Sequence, residues 1–155
     1  MMTMNIARAL KLKNKLVANL KSTEDLIRSE NVVEGENKSL FDIALLYTQL
    51  KDLRDDLCKV KGAIAAANAP VFEKIFALSE LKAQISFLKT LPTKAGTFDE
   101  GGGYASVYVK HTYTATITKQ ETVADIIFLE KEIESLQEEL DIFNHKTTIN
   151  IDIIL

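Results

Sequence analysis

Hydrophobic side chains recur every three or four residues in four segments of the sequence, and this spacing predicts four α-helices. The helices are expected over about residues 4–30, 39–67, 70–91 and 119–145. The second segment carries a heptad seam sustained for about three heptads, and the fourth carries another heptad seam. The seam residues are Ile43, Leu46, Leu50, Leu53, Leu57, Val60 and Ile64 in one helix, and Ile126, Leu129, Ile133, Leu136, Leu140 and Phe143 in the other. Because the loop after the first helix is short, the first two helices are predicted to form an antiparallel hairpin.

Polar residues and prolines mark the expected ends of these helices. Ser39 is predicted to cap the second helix, with Asp42 three residues on in a position like that of a capping box. Thr118 and Glu121 form a T-x-x-E capping box in front of the fourth helix. Pro70 suits the first turn of the third helix.

A different pattern, strict alternation, covers residues 104–118, "YASVYVKHTYTATIT", and predicts a β-strand. A two-residue turn at Lys110-His111 would pair the apolar face with the threonine face, so one long strand is favoured over a hairpin there. A tighter hairpin is expected at "DEGGG", joining a short strand over residues 94–98 to the long one. A third strand is predicted over residues 147–154.

The predicted strands have few partners for their backbone groups. The long strand can pair with the short upstream strand or with the C-terminal strand, but a ribbon of two or three strands is marginal alone. Pairing across subunits is therefore expected, with helices covering the apolar face. The chain is predicted to be one domain, 1–155, of the α+β class and mainly α, with long antiparallel, coiled-coil-like helical hairpins and a small antiparallel β-sheet.

Composition and charge narrow the class of protein. The 155 residues are 46% hydrophobic and 26% charged, with a net charge of −3 and a single cysteine, Cys58. One cysteine cannot form an internal disulfide, and no apolar run approaches the ~18 residues of a membrane span. Lysines interrupt the N-terminal apolar residues, which argues against a signal peptide. We therefore expect a soluble, cytoplasmic protein without a transmembrane segment.

The charges are distributed unevenly along the chain. Residues 1–21 hold five basic and no acidic side chains, whereas residues 119–155 hold nine acidic and three basic ones. A basic N-terminus could attract nucleic acid or an anionic surface. The favoured interpretation is that the basic helix lies near the acidic one, within or between chains. The mixed segment "YVKHTY" has the aromatic and basic residues of a single-strand nucleic-acid platform, but the acidic chain and the threonine-rich face argue against nucleic-acid binding.

Candidate catalytic and metal-binding residues are few. His111 is expected to be a packed or hydrogen-bonded side chain of the strand, and His145 a helix-end residue favoured by the helix dipole. Cys58 is expected to be a buried structural thiol, and Asp55 and Asp56 to lie on a solvated helix face, as do the glutamates of the fourth helix. "EGGG" lacks the Gly-Lys-Ser/Thr ending of a phosphate loop. The sequence therefore predicts no catalytic residue, no cofactor and no metal site.

Four stretches carry a resemblance to a known family: "MNIARALKLKNKLV", "IAAANAP", "LKAQISFLKTLPTKAG" and "TKQETVADI". In this order they resemble the septicolysin-like family of small bacterial proteins, and the similarity spans nearly the whole chain. The resemblance implies the same arrangement of helices and junctions. The family name implies a thiol-type, pore-forming cytolysin.

Three functional hypotheses follow. The first is a non-enzymatic interaction or structural module that forms homo-oligomers through its helical seams and strand edges. The second is a holdase resembling prefoldin, which would need exposed apolar helix tips to bind unfolded clients. The third is the cytolysin that the resemblance implies. An enzyme is expected only if its site is shared between subunits and built from lysines, acids and Tyr104 or Tyr108.

Overall fold

The computed structural model describes residues 1–35, 39–101 and 109–153, and it confirms a mainly α-helical α+β fold. The described residues contain four α-helices: α1 Ile6–Glu30, α2 Ile43–Asn68, α3 Phe72–Thr90 and α4 Lys119–Lys146. They also contain four strands: β1 Met2–Asn5, β2 Gly96–Glu100, β3 Val109–Tyr113 and β4 Thr148–Ile151. The strands form two separate two-stranded antiparallel sheets, β1–β4 and β2–β3. The chain divides into two compact units: Met1–Phe72 with Leu140–Leu155, and Glu73–Glu139.

In the first unit, α1 and α2 pack against each other along the predicted seam. Leu57, Val60 and Ile64 of α2 are buried in one apolar cluster with Ile6, Ala9 and Leu16 of α1. Arg54, in the middle of α2, pairs with Glu24 in the last third of α1, and Ile64, near the end of α2, shares a cluster with Ile6 at the start of α1, so the two helices are antiparallel. The predicted hairpin of the first two helices is confirmed.

A small sheet of the two chain ends completes the core of this unit. β1 pairs with β4 in the register Met2↔Ile151 to Asn5↔Thr148, and Met4, Ile149 and Ile151 join the apolar cluster. The prediction of a helix from residue 4 is wrong at its start, because Asn5 ends the strand and caps α1 by accepting the backbone N–H of Arg8 at 2.9 Å. The C-terminal strand is shorter than predicted, and among the described strands its partner is β1, not β3.

The start of α2 also differs from the prediction. The cap is Asp42, whose side chain accepts the backbone N–H of Leu45 at 3.0 Å. The predicted cap, Ser39, instead accepts the N–H of Phe41 at 3.1 Å, before the helix begins. At the start of α4 the predicted capping box is confirmed. Thr118 N–H donates to the Glu121 carboxylate at 2.7 Å, and Glu121 N–H donates to the Thr118 hydroxyl oxygen at 3.2 Å.

In the second unit, α3 and α4 share a smaller apolar cluster of Ile85, Leu88 and Leu129. Leu81, Ile126 and Ile133 pack around these residues, so the first half of the predicted seam of α4 lies against α3. Phe143, at the end of the seam, packs against the apolar cluster of the first unit. Lys74 of α3 and Glu139 of α4 form an ion pair farther along the helices.

The β2–β3 pair corrects the prediction of a long strand. β2 and β3 are antiparallel from Gly96↔Tyr113 to Glu100↔Val109. The short strand, predicted over residues 94–98, lies at 96–100 instead, because Asp99 and Glu100, expected in the turn, pair with Lys110 and Val109. Lys110 and His111 lie within β3, so the absence of a turn at these residues is confirmed. The strand ends at Tyr113, not at residue 118, because β2 offers no partner beyond Gly96. Residues 104–108 of the predicted strand lie outside the described residues.

Candidate functional site

Large apolar side chains are exposed around the loop end of the α1–α2 hairpin. We call this surface the hairpin tip and define it by Val32, Val33, Leu40, Phe41, Leu45 and Tyr47. Leu40 is 94% and Val32 is 83% exposed. Single exposed apolar residues are common, but several that lie close together are typical of an interaction surface.

An open groove lies beside these residues, between the ends of the two helices. Its main cavity has a volume of about 550 Å³, and its lining residues are Ile27, Asn31, Ile43, Ala44 and Tyr47. A smaller recess of about 180 Å³ also touches Ile27 and Tyr47 and reaches Glu24, Arg28, Leu50 and Arg54. We call the two together the tip groove. Its two walls come from α1 with Asn31 and from α2.

The charged side chains at the inner end of the tip groove neutralise one another. Arg54 Nη2 donates to Glu24 Oε1 at 2.8 Å. Arg28 lies 3.9 Å from the Glu24 carboxylate and 3.5 Å from the Asp25 carboxylate. Two guanidinium groups and two carboxylates therefore sum to zero charge at this end.

Carboxylates predominate at the loop end of the groove. Glu30 accepts a hydrogen bond from the Ser39 hydroxyl at 3.2 Å, and Asp42 accepts only a neutral backbone N–H in its role as cap. Glu34 is exposed in the segment between the two helices. Because no cation is paired with these three groups among the described ion pairs, the loop end carries a negative charge.

A second polar cluster lies on the β2–β3 pair. The Lys94 ammonium pairs with the Glu100 carboxylate, and the Tyr113 hydroxyl donates to Glu100 Oε2 at 2.7 Å. Lys94 Nζ also lies 3.9 Å from the centre of the Tyr113 ring and 4.8 Å from that of Phe98. The cluster joins the two strands through side chains.

The electrostatics of this second cluster keep each group in its ordinary charge state at neutral pH. Hydrogen bonds from Lys94 and then Tyr113 lower the pKa of Glu100. The hydrogen bond to Glu100 raises the pKa of Lys94 and that of Tyr113. A general acid or base needs a pKa near the working pH, and all three shifts go the opposite way. The cluster is therefore suited to stabilising the hairpin rather than to proton transfer.

Several residues singled out in the sequence have different surroundings from those expected. His111 is exposed rather than packed, with its ring centroid 6.4 Å from that of Tyr113. His145 lies in the last turn of α4, as expected, with Nδ1 2.7 Å from the carbonyl oxygen of Asp141. Tyr104 and Tyr108 lie outside the described residues.

Two further predictions, both on α2, are wrong. Cys58 is exposed and not a buried thiol. Asp56 is only 5% exposed and lies 3.6 Å from the Lys59 ammonium, whereas Asp55 is exposed as expected. The helical turn explains the burial of Asp56, because position 56 is three residues after Leu53 and four before Val60, on the packed side of the helix.

Within the described residues, no group of three or more His, Cys, Asp or Glu side chains could hold a metal ion. None of the helices in the described ranges combines the length and the apolar character that crossing a membrane requires.

The structure is that of a mainly α-helical α+β protein with an exposed apolar hairpin tip. Comparisons with known proteins add information about the fold alone. No family model matches the chain, and no curated protein matches it. The structure is similar to a functionally unknown conserved protein from Corynebacterium diphtheriae, with a TM-score of 0.67 over 96% of this chain and 100% of that one. At 15% sequence identity this similarity shows a shared fold and nothing about activity. Membership of the septicolysin-like family stays a prediction.

Proposed function

We propose that the chain is a non-enzymatic interaction module that associates with other protein chains, including its own copies. The observation that carries this proposal is the hairpin tip, where six large apolar side chains are exposed and one of them, Tyr47, lines an open groove. Burying such side chains against a partner stabilises a complex by about 25 cal/mol for each Å² of apolar surface removed from water.

Exposed phenylalanines of the second unit support self-association. Phe76 and Phe87 of α3 are 64% and 59% exposed, and Phe128 of α4 is 63% exposed. Phe76 and Phe87 are eleven residues apart, which is about three turns, so they lie on the same side of α3. Each fully exposed aromatic side chain offers about 150–250 Å² for burial.

Strand edges offer a second means of association. Both described sheets have two strands, so each strand has a neighbour on one side only. Unpaired edges are templates for strand addition by another chain. The helical seams, in contrast, already pack within the chain: that of α2 packs against α1, and the first half of that of α4 packs against α3. The proposed association therefore uses the tip, the outer helix surfaces and the strand edges rather than the seams.

Self-association is tested by size-exclusion chromatography with light scattering from low to high micromolar concentration. We expect a mass above the 17.3 kDa of one chain, increasing with concentration. The double variant Phe76→Ser, Phe87→Ser should weaken association about tenfold or more, because exposed aromatic residues often dominate interface energies. Gln84→Ser, also exposed on α3, is the control and should leave the mass unchanged. A monomer at every concentration would refute self-association.

A prefoldin-like holdase is a second candidate function, favoured by the position of the apolar surface at the end of a helical pair. We expect the protein to suppress light scattering by an unrelated, heat-unfolded enzyme, because the tip can cover exposed apolar segments of the client. Leu40→Ser with Phe41→Ser should remove most of this effect. Val123→Ser, an exposed apolar residue of α4, should not. Equal suppression by both variants would argue against the tip as the client site.

A further inference from the structure

The tip groove lies between two helices and is long enough for about three turns of a bound α-helix. Ile27 and Asn31 on one wall, and Ile43 and Tyr47 on the other, are each four residues apart, so successive lining positions are one helical turn apart. From Ile43 to Arg54 the α2 wall is about 16 Å long, or three turns. A groove of this kind accepts apolar side chains at positions i, i+3 or i+4, and i+7 of a bound helix.

The charge of the groove restricts which helix can bind. Residues 24–54 contain seven acidic and four basic side chains, a net charge of −3. Arg28 and Arg54 are already paired with Glu24 and Asp25 at the inner end. The excess negative charge therefore lies toward the loop end, near Glu30, Glu34 and Asp42. A bound helix would be favoured by positive side chains at the end that covers this region.

We propose that the tip groove binds an amphipathic helix of another protein, with large apolar side chains along one face and lysine or arginine at the end over the loop. This inference rests on the proposed role as an interaction module and names the partner of the tip. The groove buries the apolar face of the bound helix, and the loop-end carboxylates determine the orientation of that helix.

A second copy of the chain, docked through its own tip or through α1, fits less well. Tip against tip would bring two negatively charged loop ends together, which is unfavourable. The basic half of α1 has the complementary charge, but the large apolar side chain it exposes is a single one, Val17 at 44%. One half-exposed valine would fill little of a cavity of about 550 Å³.

The inference is tested with two fluorescent model peptides measured by fluorescence anisotropy. Both carry leucines at helical spacing, and they differ only in having lysines or glutamates at one end. We expect the lysine peptide to bind the full chain about tenfold or more tightly than the glutamate peptide, and added salt should reduce this difference because it screens surface charges.

A matched pair of variants locates the site. Ala44→Arg places a long cation in the groove and should weaken binding of the lysine peptide about tenfold or more. Gln49→Arg makes the same charge change on an exposed part of α2 that does not line the groove, and should leave affinity nearly unchanged. Circular dichroism and thermal unfolding check that both variants fold.

Three results would overturn the inference. The peptides could bind equally, the two arginine variants could bind alike, or Ala44→Arg alone could abolish self-association, which would assign the groove to a second copy. Failure of the inference is distinguishable from failure of the proposed function. If peptide binding is absent but light scattering still shows association, the interaction module stands without this partner, whereas loss of both refutes the module.

Discussion

Glu100 shows how single side chains on the β2–β3 pair act together. It accepts from Lys94, which precedes β2, and from Tyr113 on β3. Alternation along a strand places Lys94, Phe98 and Glu100 on one face, so part of this cluster could be read from the sequence. The sequence could not show the register, which places Tyr113 opposite Gly96, or the hydrogen bond from the Tyr113 hydroxyl to Glu100.

Replacing Lys94 with methionine should raise the pKa of Glu100 toward its ordinary value of 4.5, because the largest cause of its lowered pKa is the hydrogen bond from Lys94. A lowered pKa means that Glu100 stabilises the fold above pH 4.5 and that this stabilisation is lost as pH falls through the pKa of the folded protein. Carbon-detected NMR titration of the carboxyl group measures the pKa directly. Lys110→Met on β3 is the control, and an equal shift in both variants would contradict the assigned cause.

At the scale of elements, apolar spacing was a reliable guide to helices. Leu50, Leu57 and Val60, expected in the seam of α2, are buried. Helix ends were less predictable, because several polar residues near a boundary can serve as caps. Ser39 and Asp42 both have suitable side chains, and the backbone conformation before α2 decides in favour of Asp42.

Asp42→Ala should lower the free energy of unfolding by about 1 kcal/mol, because the first turn of α2 loses its side-chain acceptor. Asp42→Asn should retain most of this stability, since an amide oxygen can also accept from Leu45 N–H. Urea unfolding followed by circular dichroism provides the measurement. Ser39→Ala, at the cap predicted from the sequence, should have a smaller effect, and a larger loss for Ser39→Ala would contradict the structure.

The same limit applies to strands. β1 is only four residues long and is followed directly by α1. Its residues could therefore not be separated from the helix by their apolar pattern. Its partner, β4, is more than 140 residues away in sequence, and the pairing of Met4 with Ile149 leaves no local signal. The long alternating segment, in contrast, forms a strand only as far as Tyr113, where its partner ends.

At the scale of the whole molecule, the distribution of covered and exposed apolar surface carries the functional argument. The chain covers its own heptad seams, which the sequence suggested as contacts between chains. It leaves the hairpin tip and the outer phenylalanines of α3 and α4 exposed. The expected association therefore depends on surfaces whose exposure is a property of the folded chain, and the light-scattering and peptide measurements test these surfaces separately.

The sequence by itself determined the four helices, their seams and the capping box at Thr118, because helical spacing and caps depend on residues within a few turns of one another. Tertiary structure decided the pairing of the chain ends, the burial of Asp56 and the exposure of Cys58 and of the hairpin tip. These features depend on which residues from distant parts of the chain come together. The sequence pattern shows which residues lie on the same face of a helix or strand, but not which other part of the chain packs against that face.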